Sequence, residues 1–479
     1  VPQLLGRIRP TIVAIIGLLF TFDLQNDSPA LPFDQWVIGT TGLLALLSVA
    51  QIIFRKQPHP VWTKKAILLC FTALLLTALA SFALTLQGNT AQPLPLFPLV
   101  PLLQPVFLVI TWALFLPVDH FLKNRILAHA RAVRARFPDL PVIGVTGSVG
   151  KTTTKELLHH ILQDLRPLTT PAHVNAEIGV AQWMIRELGK ASPTAPPGLL
   201  IVEMGAYRRG EISVLSSIAK QTIGVLTFIG KQHIALFGSR EALIAAKAEI
   251  LTTLPKTGHA FLNADNDACA SLKDITPCPV TLVGTGAGVD LLATDSEETP
   301  GGIRFVAGHT TFDVPLHGTH NVTNVLLAIA VGQHLGLSLQ AIAAKLRTFS
   351  APKQTFEVRE ERGVRILDDT HNSSAESFRA AIDWARSQPY EEKVLLTSGI
   401  IELGEEEERL HGELGAHCAS VFQRAVFTQE RSMTAFARGF GKPVELIQVG
   451  AERPVHANAL LVCVGKMSPA LVRRLLPSS

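Results

Sequence analysis

Four apolar stretches without a charged residue open the chain, at residues 10–22, 36–54, 66–86 and 98–118. The last three run for 19, 21 and 21 residues. A helix needs about 20 residues to cross a hydrocarbon core about 30 Å thick, so each is long enough to span a membrane. The first, with 13 residues, predicts a short tilted span or an interfacial helix. Four such runs are too many for a signal peptide, and none carries the polar face of a helix that packs on a soluble core. Lys and Arg set the orientation. Residues 55–65 hold Arg55, Lys56, Lys64 and Lys65, and 119–136 hold Lys123, Arg125, Arg131, Arg134 and Arg136, whereas 23–35 and 87–97 hold none. The expectation is an α-helical membrane domain over 1–120 with about four helices and both termini in the cytoplasm. That makes a multi-pass protein of the cell membrane with its remaining domains in the cytosol.

After Asp119 the period changes. Residues 121–139 read as a basic linker helix broken by Pro138 and Pro141. Short β-like runs at 142–146, 199–204, 222–228 and 259–263 then alternate with helical patterns at 150–163 and 240–251, the rhythm of an α/β domain with a mostly parallel sheet. Residues 281–316 are Gly-rich and suit short alternating strands. A second α/β stretch starts at VRILDD (364–369), continues through a helix at 375–388, and repeats in KVLLTSG, RAVFT and ALLVCVG. Ser350-Ala351-Pro352 marks a boundary, giving domains at 140–352 and 353–479.

Composition narrows the classes. Of 479 residues, 47% are hydrophobic and 17% charged, with a mean hydropathy of +0.30, which excludes a disordered or coiled-coil protein. A net charge of +4 gives no argument for nucleic acid as a partner. Cys70, Cys269, Cys278, Cys418 and Cys463 form no CxxC pair, so neither a disulfide framework nor a zinc cage is expected.

The strongest chemical signal is VIGVTGSVGKTTTKELL. A strand ends at Thr146, and Gly147-Ser148-Val149-Gly150-Lys151-Thr152-Thr153 leads straight into a helix. Glycines let backbone N–H groups converge on phosphate oxygens, and the helix N-terminus adds partial positive charge. Lys151 suits the β- and γ-phosphates of ATP and the Thr152 hydroxyl suits Mg²⁺. The pattern departs from GxxxxGK[ST], since Val145 stands in place of the first glycine. Other residues carry chemistry by position. Glu203 closes the strand LLIVE at the edge where α/β proteins bind ligands. Lys247 lies toward an apolar helical face beside Leu243, Ile244, Ile250 and Leu251, where a free buried ammonium is costly unless it snorkels. Asn321 and Asn324, one turn apart, can offer amides to an adenine edge, while His320-Asn321 suits a helix N-cap equally well.

The short GxxGKTT loop resembles that of the Mur ligases, most closely the MurF type, which join a carboxylate to an amine at the expense of ATP. The likeness continues in order through TPAHVNAEIGV, LLIVEMGAYRRGEI, IGKQHIALFGSREALIAAKAEIL, FLNADND, GTHNVTNVLLAIAVGQHLGL, ILDDTHNSS and IIELGEEEERLHGELG, and covers about 140–479. It implies a P-loop ATP-binding domain and a Rossmann-like C-terminal domain, with ATP between them. It implies an acyl-phosphate intermediate and ADP as product. Mg²⁺ falls to Thr152, Glu203, His233 and Lys247, the lysine as a carbamate. Lys151, Lys247, His233 and Glu203 become the catalytic set. Asn324, Asn321 and Asp369 fall on adenine and ribose or phosphate, and Asn175 and Glu177 on the carboxylate substrate.

Three departures bear on substrate. Membrane spans are expected where the family has its UDP-binding domain, which suits a lipid-linked carboxylate as well as a UDP-linked one. Gln354 stands where the family has an arginine, with Lys353 beside it. On the amine side, TSGIIELG lacks the usual acid, DDTHNSS brings His371 and Asn372, and VGKMSP replaces KGSR. The amine is thus an amino acid or peptide of unspecified identity. The reading is a membrane-anchored ligase of cell-envelope polymer biosynthesis, with an oligomer or an envelope-biosynthesis partner assembled through the spans. Its alternatives are the same chemistry on a capsule polyglutamate or a lipid-linked glycan carboxylate, or a membrane ATPase or scaffold.

Overall fold

The computed structural model describes residues 63–87, 104–230, 234–371, 374–401, 403–447 and 454–477. The apolar stretches 10–22 and 36–54, and the site candidates His233 and Asn372, lie outside them. The chain divides into two compact units, Val1–Lys123 and Asn124–Ser479.

In the first unit the stretch 66–86 forms α1 (Lys64–Gln87), and 98–118 falls on α2 (Gln104–Ala135). Among the described residues α2 is the one helix long and apolar enough to cross a membrane, and Lys65–Ala80 is a shorter apolar stretch. Residues 66–86 and 104–118 carry no charged side chain. Phe71 is 64% exposed and Leu114 63%. Within α1 the hydroxyls of Thr72 and Thr77 donate to the carbonyls of Leu68 and Ala73, each at 2.9 Å, which removes their need for water. Asp119 accepts from Lys65 at 2.8 Å and from Lys123 at 2.9 Å. The sequence suggests an apolar run followed by a separate linker helix; instead α2 passes through Pro117 unbroken.

The second unit begins inside α2. Leu127, Ala130 and Val133 share one face of it and are buried, with Phe137 and Leu140, against Val180, Trp183 and Met184. The basic residues of this segment hold it in place: the buried Arg134 guanidinium donates to the carbonyls of Ala219, Phe137 and Leu140. Arg131 donates to Ser217 Oγ at 2.9 Å, and Arg136 to the Gly189 and Ala191 carbonyls.

Two sheets follow among the described residues. The first has the order β2-β3-β1-β4-β5-β6-β7-β8-β9. Its strands are β1 (Val142–Thr146), β2 (Pro167–Thr169), β3 (Leu199–Glu203), β4 (Ile223–Leu226), β5 (His259–Asn263), β6 (Val280–Gly284), β7 (Leu291–Thr299), β8 (Gly302–Ala307) and β9 (Thr310–Val314). β1 lies between β3 and β4, parallel to both, and every residue of it is buried. A strand covered on both faces must be apolar throughout, which is why VIGVT does not alternate. Helices α3 (Lys151–Ile161), α4 (Glu177–Glu187), α5 (Glu211–Ala219), α6 (Arg240–Thr252), α7 (Asn321–His334) and α8 (Leu339–Leu346) pack on it. β7 to β9 pair antiparallel, which accounts for the alternating pattern of 281–316.

The second sheet has the order β10-β11-β15-β12-β13-β14, parallel except for β10 against β11. β10 (Glu357–Glu361), β11 (Val364–Asp369), β12 (Lys393–Thr397), β13 (Arg424–Phe427), β14 (Val444–Leu446) and β15 (Leu460–Val464) pack against α9 (Ala375–Ser387) and α10 (Glu407–Ala419). The linker between the sheets holds Gln354 at φ 60° and Phe356 at φ 50°, a conformation that a phenylalanine rarely adopts.

Candidate active site

The carboxyl ends of β1 and β3 bring the main candidates together. After Thr146 the chain turns through Gly147 (φ 152°) and Gly150 (φ 84°) into α3. Space as well as φ demands glycine here. A Cβ on Gly147 would lie 2.1 Å from Thr227 Oγ1, and one on Gly150 2.4 Å from Asn324 Oδ1. Lys151 Nζ folds back to donate to the Gly147 and Ser148 carbonyls, both at 2.9 Å. The Val149 carbonyl accepts from Thr227 Oγ1 at 2.6 Å, and Thr153 is buried in the first turn of α3. Ser148 Oγ is buried and has no hydrogen-bond partner among the described residues. An unmet hydroxyl beside a backbone cradle that excludes Cβ atoms fits a phosphate group.

Glu203 is the hub. Thr152 Oγ1 donates to its carboxylate at 3.1 Å and Asn175 Nδ2 at 3.0 Å. Lys155 Nζ, fully buried, lies 3.6 Å from Glu203 Oε2 and 3.0 Å from Glu156, and donates to the Thr170 carbonyl at 2.9 Å. Thr170 Oγ1 in turn accepts from the Glu203 backbone N–H at 3.0 Å. Thr152 and Glu203 offer hard oxygen ligands of the kind Mg²⁺ takes with phosphate and water completing its shell. No cluster of three or more His, Cys, Asp or Glu side chains suited to a metal occurs among the described residues.

Lys247, on α6, is buried and donates to the Ala206 carbonyl at 3.4 Å. Burial, then the positive charge of Lys151, brings its ammonium down to about 7. Lys151 is also lowered by burial, against the opposing pull of Glu203. Glu177 begins α4 in its first turn, where a carboxylate meets the positive end of the helix dipole.

Asn321 and Asn324 are both buried and hydrogen-bonded beside the phosphate loop. Asn324 Nδ2 donates to Asn321 Oδ1 at 2.8 Å and Asn321 Nδ2 to the His317 carbonyl at 2.8 Å, while Asn324 Oδ1 faces Gly150. His320 occupies the N-cap position without a side-chain capping bond. Asp369, buried at the end of β11, accepts from the Phe356 N–H at 3.2 Å. Gln354 donates to Thr370 Oγ1 at 3.0 Å, whereas Lys353 stays exposed.

Between the two sheets lies a cleft of about 420 Å³ whose walls include Thr152, Glu156, His159, His173, Lys353 and His371. The rings of His173 and His371 meet across it with centroids 4.4 Å apart. Burial, then His173, holds the His371 imidazole below its ordinary value. Sequence reasoning missed Lys155, Thr170 and His173. Lys155 carried a usable signal, one turn beyond Lys151 among the buried positions of α3; Thr170 and His173 carried none, since only the fold brings them to Glu203 and His371.

Residues 145–332 match the Mur ligase middle domain. The UDP-N-acetylmuramoyl-tripeptide–D-alanyl-D-alanine ligase of Bacillus subtilis is 33% identical over 309 residues, covering 64% of this chain and 66% of that protein. The ligase of the same name from Mycobacterium bovis is 32% identical over 372 residues, covering 72% and 70%. The crystal structure of MurF ligase from Thermotoga maritima in complex with ADP superposes with a TM-score of 0.63 at 26% identity, covering 74% of this chain and 82% of that one. The chain thus spans 60–70% of the length of these and related curated proteins. From its phosphate loop to its second sheet, the chain belongs to the Mur ligase family, with its likeness to the MurF type.

Proposed function

We propose that the chain is an ATP-dependent, ADP-forming ligase that joins a carboxylate to the amine of an amino acid or peptide in cell-envelope polymer synthesis. The observation that carries this reading is the convergence of Thr152, Asn175 and Lys155 on Glu203, directly after the Lys151 phosphate loop and beside a cleft between two sheets that Thr152 lines. A carboxylate oxygen attacks the γ-phosphorus of ATP, the bond to the bridging oxygen breaks, and ADP leaves. The amine nitrogen then attacks the acyl carbon, phosphate departs, and the amine loses a proton to give the amide.

Both reactants of the first step are anionic, so cations must lie between them. Lys151 is placed to leave its two loop carbonyls for phosphate oxygens. Mg²⁺, held by Thr152 and Glu203 when bound, supplies charge neutralisation. Asn175 and Lys155 hold the Glu203 carboxylate in one orientation. A carbamate on Lys247 forms only from the neutral amine, and an ammonium brought down to about 7 supplies that form at cellular pH. Asn321, Asn324 and Asp369 are assigned to the nucleotide, and Asn175, Glu177, His371 and the neighbouring Asn372 to the two substrates.

We further propose attachment to the cell membrane through α1, α2 and the apolar stretches before them, with the ligase domains on the cytoplasmic side. The exposed apolar side chains of α1 and α2, which water does not favour, support this. It brings a lipid-linked carboxylate into reach beside a UDP-linked one. The test supplies the full chain in detergent with ATP, D-alanyl-D-alanine or other amines, and either UDP-N-acetylmuramoyl-tripeptide or its lipid-linked counterpart. Phosphate release that requires one pair, and disappears in Lys151→Ala, is expected. Release indifferent to both substrates overturns the ligase reading.

A further inference from the structure

The hairpin strand β7 carries a carboxylate that ties together three elements around the proposed nucleotide site. Glu298 Oε1 accepts from His317 Nδ1 at 2.6 Å and from Trp384 Nε1 at 2.9 Å, and Oε2 accepts from the Gly318 N–H at 2.9 Å. His317 and Gly318 lead directly into α7 and its Asn321 and Asn324. Trp384 belongs to α9, on the second sheet, and is buried. A single side chain of the first domain therefore grips the segment that opens α7 and a helix of the other domain.

What Glu298 clamps is the turning point between the domains. The Phe356 ring, on the strained linker, packs edge-on against His320 at 4.7 Å and against Trp384 at 6.3 Å, and Trp384 meets His317 at 5.8 Å. The linker is pinned on its other side, where Gln354 N–H donates to Glu357 at 2.9 Å and the Gln354 carbonyl accepts from His371 N–H at 3.0 Å. Backbone held at positive φ by a bulky residue persists only where its surroundings over-determine it. Here the aromatic cluster and its carboxylate do so.

We propose that Glu298 is a positioning residue for nucleotide binding: through Trp384 and the His317-Gly318 segment it fixes the second domain relative to α7, and so the shape of the ATP site. The inference rests on the reading that ATP binds at Lys151 between the two sheets. Glutamate is suited to this as glutamine is not, because a carboxylate accepts at both oxygens and a carboxamide at one.

The test is equilibrium titration of the full chain with a fluorescent ATP analogue, comparing wild type, Glu298→Gln, Trp384→Phe, the double variant and Lys151→Ala. Glu298→Gln keeps the size of the original side chain, and Trp384→Phe keeps an aromatic ring while removing the indole N–H that Glu298 accepts. Each is expected to weaken binding about tenfold, and the double variant no more than either alone, since both break the same clamp. In turnover the KM for ATP is expected to rise while kcat at saturating ATP changes less than about twofold. Affinities within about twofold of wild type, or losses that multiply in the double variant, would overturn the proposal. So would a fall in kcat at constant KM, which marks loss of folded protein alone. Undiminished binding by Lys151→Ala would remove the site itself, and the ligase reading with it, whatever Glu298 does.

Discussion

Lys155 and Lys247 are two buried lysines with opposite uses. Lys155 is surrounded by oxygens, and its charge offsets that of Glu203, which is itself 2% exposed. Lys155→Met leaves that carboxylate buried without its cation, so we expect a loss of about 3 kcal/mol in denaturant unfolding. A loss below about 0.5 kcal/mol, the range of a surface substitution, would show that the pair does not hold the strand end. Lys247 has no anion at bonding distance among the described residues and is lowered to about 7. Its folded-state value lies below the unfolded one, near 10.4, so between about pH 7 and 10 the unfolded chain binds more protons and stability rises with pH. Lys247→Met should flatten that rise. The same amine should take up ¹³C-labelled bicarbonate as a carbamate at pH 8 and lose it below pH 7; absence of the signal at pH 8 would remove the modification from the account.

At the scale of elements, the phosphate loop is the part most legible in the sequence. An apolar strand, closely spaced glycines and a lysine-threonine pair opening a helix specified β1, the turn and α3. The geometry adds that Gly150 is required twice, by its φ of 84° and by Asn324 behind it. Gly150→Ala should therefore cost the loop about 1–2 kcal/mol from backbone strain alone and weaken nucleotide binding by roughly tenfold or more. Near-wild-type affinity would mean that the turn does not form the cradle. The strands VIGVT, LLIVE and VRILDD were readable because strands covered on both faces are apolar without interruption. β2 and β14, three residues each, were not, since so short a run has no period. The continuity of α2 was hidden by Asp119 and Pro117, which look like breaks. In fact Asp119 is fixed by lysines one turn away and on α1, and the arginines that suggested only a basic linker dock it by donating to carbonyls.

For the whole molecule, what the sequence did not display is how the two sheets face one another. Nothing in the spacing of His173 and His371 says that their rings meet, or that Glu298 reaches Trp384. These are contacts of a fold, made across 198 and 86 positions of chain. His371 is held low by burial and His173, with Lys466 and Lys151 opposing its protonation and Glu203 favouring it. Because its folded-state value lies below the unfolded 6.5, the contact is at full strength above that pH and is lost as pH falls. Turnover should therefore fall as the pH drops below 6.5, and His371→Asn should flatten that acid limb; an unchanged limb would place the titrating group elsewhere.

In the proposed reaction a carboxylate oxygen of one substrate ends up in phosphate. Carboxylate labelled with ¹⁸O, supplied to the full chain with ATP and an accepted amine, tests it directly. One labelled oxygen is expected in each phosphate released, because the acyl–oxygen bond breaks when the amine displaces phosphate. Phosphate carrying no label would mean that water attacks ATP, and that the loop drives something other than amide synthesis.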